Sequence, residues 1–164
     1  MNSSQVSRML DDEHRANIAL LGQVEQLLSR SPRYDPACAG LLGQLVRLLE
    51  GDVDRHFAFE EEQLFPRMTE GGDGGMAGLL REEHDAIREV CADLLPLARQ
   101  AAQGAIGEAG WSALRPLGME LVERQVAHIQ KETMALLPLL DDLLDEESDR
   151  ELAFAYSAAC RRPS

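Results

Sequence analysis

The sequence predicts an all-α protein: an up-down-up-down four-helix bundle with a short fifth helix at its C-terminus. Three observations predict it. Apolar residues recur at the helical period through four long stretches. Clusters of proline and glycine separate those stretches. Aromatic residues are only 4% while Leu and Ala are plentiful, and no stretch of useful length reads as a strand.

The first helix is expected from about residue 4 to 29, with Val6, Leu10, Ile18, Leu21, Val24 and Leu28 on its apolar stripe. Ser3 or Ser4 can cap it, and the prolines at 32 and 36 stop it. The second is expected over about 36–65, on Leu41, Leu45, Leu48, Leu49 and Val53, followed by a loop at Gly71–Gly75. The third spans about 76–103, on Leu79, Leu80, Ile87, Cys91, Leu94 and Leu95. Pro96 should kink it or mark its weakest turn. A second flexible connection, Gly104–Gly110, leads to the fourth helix at about 112–140, on Leu117, Leu121, Leu136 and Leu139. Connections of about eight residues between long helices give antiparallel neighbours. The expected organisation is a bundle domain over 1–140, then an acidic linker and short helix over 141–164. That short helix starts near Ser148 and Asp149, and the run from Asp141 to Glu147 should be solvated.

Composition narrows the function. The 164 residues suit one soluble domain with its own core, and the formal charge of −13 argues against nucleic acid or an anionic membrane as a partner. No apolar stretch reaches the ~18 residues that span a bilayer. The N-terminal residues lack the apolar core of a secretory signal, so the expected location is the cytoplasm. Cys38, Cys91 and Cys160 form no CxxC pair, which points to apolar filler rather than a disulfide framework or a zinc ribbon.

The chain holds only four histidines, His14, His56, His84 and His128, one per long helix and each continuing an apolar stripe. His56 and His128 each have a glutamate four residues on, Glu60 and Glu132, which places both side chains on one helix face. A proline follows each of these two histidines at ten residues, Pro66 and Pro138. His14 and His56 are 42 residues apart, His84 and His128 are 44 apart, and His56 and His84 are 28 apart. At 1.5 Å per residue these spacings set all four at one level of the bundle, nearer the end that carries Gly71–Gly75.

Four imidazoles and two carboxylates in a core are costly unless something binds them all, and a metal site removes that cost. Carboxylates bridge and imidazoles generally do not. Two metals would therefore each take two histidines and share Glu60 and Glu132, leaving positions for a bridging oxo or hydroxo group and an exchangeable ligand. This donor set suits iron; manganese is second, and zinc prefers a closed set of four.

The same residues resemble the hemerythrin-like, HHE cation-binding domains, over about residues 8–140 and with every motif in order. The stretch HFAFEEEQLFP at 56–66 is an especially close match. The resemblance implies a four-helix bundle with a non-haem di-iron centre. In it His14, His56, His84 and His128 are iron ligands, and Glu60 and Glu132 are bridging carboxylates. Oxygen-carrying hemerythrins have a further histidine at HxxxH spacing in the third helix, where this chain has Leu80 and Arg88 around His84. Their last motif usually ends in Asp at a spacing of five, not in a Glu at four. The pattern is more similar to bacterial HHE proteins linked to nitric oxide, peroxide or iron-centre repair. Many of the repair proteins carry an additional N-terminal domain with cysteine, which is not expected here.

The expected function is binding or reduction of a small diatomic or peroxo ligand. The alternative is an iron- or oxygen-sensing module whose fold depends on its metal. A metal-free helical bundle is the third reading. The sequence specifies neither a redox partner nor an oligomeric state. Around the centre, Phe57, Phe59 and Phe65 should pack and keep it dry. Gln63 or Gln125 could orient an imidazole or a bound water, while Glu13, Glu61, Glu62 and Glu83, next to ligand positions, should face solvent.

Overall fold

The computed structural model describes residues 3–161. Five helices form: α1 (Gln5–Arg30), α2 (residues 39–70), α3 (Gly74–Ala102), α4 (residues 108–143) and α5 (Glu146–Arg161). A 3₁₀ turn at Pro36–Cys38 leads into α2, and no strand occurs among the described residues. Helices α1 and α3 each pack against α2 and α4, which closes a four-helix ring, and α5 lies across α1 and the middle of α2. No helix of the described residues is long and apolar enough to cross a membrane.

Helix α2 does not stop at Phe65. It continues to Glu70, so only residues 71–73 separate it from α3. Continuation depends on a π-helical turn, Glu60–Leu64, closed by the Phe65 N–H on the Glu60 carbonyl. Pro66 comes next. Its ring would collide with a carbonyl one regular turn back, and it has no N–H to give, so widening the turn lets the helix pass it. Helix α4 repeats the device: Glu132–Leu136 is π-helical, the Leu137 N–H closes on the Glu132 carbonyl, and Pro138 follows. A third wide turn, Leu48–Asp52, precedes His56 in α2. Pro96 lies inside α3 without ending it.

Other differences have simple causes. Helix α4 begins at Glu108, four residues earlier than expected, because the fully buried Trp111 belongs to its inner face. The Trp111 indole N–H donates to the Ser31 carbonyl at 2.9 Å, tying α4 to the end of α1. Ile18 and Leu79, expected in the core, are exposed. The acidic run is partly employed in capping. Asp141 accepts from the Ser4 N–H at 2.8 Å, and Asp145 accepts from the Ser148 N–H at 2.7 Å to start α5. Asp149 accepts from the Gln5 and Val6 N–H groups at 2.8 and 3.0 Å. Together with Ser4 Oγ, which accepts from the Ser7 N–H, Asp141 and Asp149 satisfy the free donors of the α1 N-terminus.

The core has two parts. One holds Leu21, Leu28, Leu42, Leu45, Leu94, Trp111 and Leu121 toward one end of the bundle. The other holds Val6, Leu10, Leu64, Met68, Leu80, Leu136 and Leu140, with Leu152 and Tyr156 of α5. The four histidines and two glutamates are buried as well.

Candidate metal centre

Each long helix delivers one histidine, and α2 and α4 each add a glutamate one turn on. All six side chains are buried; Glu60 is 0% and Glu132 1% exposed. Their ligand atoms fall into two groups that share both carboxylates: His14, His56, Glu60 and Glu132, and His84, His128, Glu60 and Glu132. His14 Nε2 lies 3.0 Å from Glu132 Oε1, and His56 Nε2 lies 3.0 Å from Glu60 Oε2. Across the site, His84 Nε2 lies 3.1 Å from Glu60 Oε1, and His128 Nε2 lies 3.1 Å from Glu132 Oε2. Each carboxylate thus turns one oxygen to each pair of histidines.

The other ring nitrogens face outward, and each meets a residue from the next helix round the bundle. Glu13 of α1 accepts from His56 Nδ1 at 3.0 Å, Glu61 of α2 from His84 Nδ1 at 2.7 Å, and Glu83 of α3 from His128 Nδ1 at 2.8 Å. Thr133 of α4 closes the ring, with Oγ1 3.4 Å from His14 Nδ1. Every outer partner is the chain neighbour of an inward residue: 13 precedes His14, 83 precedes His84, 61 follows Glu60 and 133 follows Glu132. Three cations back the three carboxylates: Arg55 on Glu13 at 2.8 Å, Arg88 on Glu61 at 2.7 Å, and Lys131 on Glu83.

Burial would raise the pKa values of Glu13, Glu61 and Glu83. Hydrogen bonds and charges from their histidine and cation partners outweigh it and hold all three below the ordinary carboxylate value. Ionised carboxylates only accept, so in the neutral imidazoles of His56, His84 and His128 the proton sits on Nδ1 and Nε2 keeps its lone pair. The interior then presents imidazole lone pairs and carboxylate oxygens to one another; His84 Nε2 and His128 Nε2 sit 3.1 Å apart. His14 Nε2, Glu60 Oε1 and both oxygens of Glu132 are buried with no hydrogen-bond partner. A space lined by acceptors requires cations.

Protons can stand in when metal is absent. Burial pushes His56, His84 and His128 down, but the glutamates around them push harder. His84 is raised to about 9, His56 stands well above its ordinary value, and His128 is raised. Glu132 is buried, but the histidines around it, at 3.0 Å for His14 and 3.1 Å for His128, hold it well below the usual range. In two groups that share both carboxylates, these six residues could hold two metal ions.

Aromatic rings wall the site. Phe57 stacks on His84 at 3.7 Å between ring centres with a 4° tilt, and Phe65 lies 5.4 Å from the same ring. Phe59 packs instead on Tyr156, which meets His56 edge-on at 6.2 Å. A cleft of about 360 Å³ reaches His128 between Glu83, Ile87, Glu123 and Ala127. Arg88, one turn after His84, is turned outward to Glu61, Asp54 and the Phe57 ring.

The surroundings correct the sequence reading in several places. Glu13, Glu61 and Glu83 are imidazole partners; of the four flanking glutamates only Glu62 is exposed. Gln63 is exposed, and Gln125 is buried with its Oε1 unpartnered, so neither orients a ring. Cys38 and Cys91 are buried filler, but Cys160 is exposed and accepts from Arg55 Nη1 at 2.9 Å. Thr133, Tyr156, Arg55 and Lys131 have no counterpart in the sequence reading, and Arg88 figures there only as a neighbour of His84. The available signal is adjacency: outer partners stand beside the inward residues.

Bundle, motif order and inward donor set together define a cation-binding helical domain. Residues 5–140 match the hemerythrin HHE cation binding domain, and the chain belongs to that family. It is also similar to the iron-sulfur cluster repair protein YtfE of Dickeya chrysanthemi (strain Ech1591). The two are 29% identical over 132 residues, which is 77% of this chain and 59% of that protein. The chain thus spans about three-fifths of the length of this relative.

Proposed function

We propose that the protein is a non-haem di-iron protein that binds or reduces a small ligand such as oxygen, peroxide or nitric oxide. One observation carries this: Glu60 and Glu132 each give one oxygen to His14 and His56 and the other to His84 and His128. That division fits two ions sharing both carboxylates. Each ion would have two Nε2 atoms and two carboxylate oxygens, so six-coordination would leave positions for other ligands. Imidazole with carboxylate favours iron, with manganese next, and the relative's name supports iron.

Two bound irons would supply redox chemistry and exchangeable positions for the small ligand. The chain's own groups do the rest. Glu13, Glu61, Glu83 and Thr133 fix the four rings with Nε2 inward. Phe57 and Phe65 exclude water on the His84 side, and the cleft at His128 is sized for a small molecule. Anaerobic loading with ferrous iron tests the reading. About two irons per chain are expected, with absorption changes on adding oxygen, peroxide or nitric oxide. Less than half an iron per chain overturns it.

A further inference from the structure

The two halves of the site are related by a pseudo-twofold repeat, and the repeat is broken at one position. Glu13 corresponds to Glu83, each standing before a histidine, and Glu61 corresponds to Thr133, each standing after a glutamate. Consequently His84 and His128 both have carboxylates on Nδ1, at 2.7 and 2.8 Å. On the other side His56 has one, at 3.0 Å, while His14 has only a neutral hydroxyl at 3.4 Å. Glu61 and Glu83 are each backed by a cation, and Thr133 is exposed.

We infer that the two metal positions are unequal, and that Thr133 makes the one at His14 and His56 the weaker and the more readily exchanged. This rests on the two-metal reading above. A carboxylate on the far nitrogen makes an imidazole a stronger donor and holds its plane; a distant hydroxyl does neither well. Changes to such outer partners typically alter metal affinity about ten- to a hundredfold. That sets the scale of the difference between the two positions.

The test is an anaerobic cobalt(II) titration of the full chain, followed by visible absorption and by competition with a chelator. Two steps separated about ten- to a hundredfold are expected. Thr133 is exposed, so Thr133→Glu has room to restore the repeat; it should tighten the weaker step until the two merge. Thr133→Ser should titrate like the parent. Glu61→Thr should weaken the tighter step and leave the other in place, a readout that holds even if Thr133→Glu folds poorly. A single step in the parent overturns the inference. So does an unchanged separation in Thr133→Glu, because repulsion between two ions would then account for it. Total binding below half a cobalt per chain is a different failure: it removes the two-metal reading itself.

Discussion

Arg88 donates to both carboxylate oxygens of Glu61, at 2.7 and 3.2 Å, and so fixes the group that holds His84. Arg88→Ala should leave Glu61 free to rotate into solvent and loosen the His84 ring. Metal affinity should fall by about tenfold, the low end for outer partners, with little change in helix content. A chelator-competition titration measures this. Unchanged affinity would mean that Glu61 keeps its place unaided.

The shared carboxylates separate a metal site from a merely structural cluster. Glu132→Ala removes an oxygen from both sets, and His56→Ala removes a nitrogen from one. Both should abolish stable iron loading as measured by elemental analysis. In a bundle without a metal role, removing one partner from this buried cluster would still destabilise the fold, so iron content rather than melting temperature is the readout that separates the two.

Metal removal should change how stability depends on pH. In the stripped chain His84 is raised to about 9 from an ordinary 6.5, with His56 and His128 shifted the same way. A raised histidine contributes stability fully present below its unfolded pKa and lost as pH rises through the folded one. Glu132, lowered from 4.5, contributes stability present above that value and lost in acid. The stripped protein should melt highest between about pH 4.5 and 6.5 and weaken toward pH 9 and above. The loaded protein should behave oppositely on the acid side, because protons compete with metal for the imidazoles. Thermal melts across pH on both forms check this. A stripped-form melting temperature that climbs from pH 7 to 9 would contradict it.

Tyr156 tests the role of α5. Its ring is buried against Phe59 and His56, but its hydroxyl has no hydrogen-bond partner. Tyr156→Phe deletes an unsatisfied buried group and should stabilise by up to about 1 kcal/mol. Tyr156→Ala should cost about 3 kcal/mol through the cavity it leaves. Denaturant melts measure both, and destabilisation by Tyr156→Phe would show that the hydroxyl has a partner in solution.

The parts of this architecture that are legible in the sequence are those set by one helix at a time. The period of Leu10, His14 and Leu21, or of Leu80, His84 and Ile87, is a property of a single helix and marks its inner face. The i, i+4 spacing of His56 and Glu60 is local too. Glu13, Glu61 and Glu83 are different: a residue next to an inward one is turned about 100° from it, and on one helix that direction reads as solvent. Here it reaches the histidine of the neighbouring helix, a relation that exists only once helices pack. Trp111 is missed for a similar reason, since its tie to Ser31 joins two helices. Ile18 and Leu79 err the other way: each fits the period but lies at the edge of its stripe.

The wide turns that begin at Glu60 and Glu132 give each of these helices two rotational settings. An extra residue in a turn rotates everything beyond it by roughly 100° relative to a regular helix. Upstream, the helix is set to aim His56 or His128 inward. Downstream, it is set to seat Leu64, Phe65 and Met68, or Leu136, Leu137 and Leu140, in the second part of the core. The two requirements are thereby decoupled, and the proline after each turn holds the offset in place. Deleting Gln63 should therefore be far worse than replacing it. Gln63→Ala trims an exposed side chain and should be nearly silent, whereas the deletion should expose Leu64 and Met68 to solvent and unfold the end of the bundle beneath the histidines.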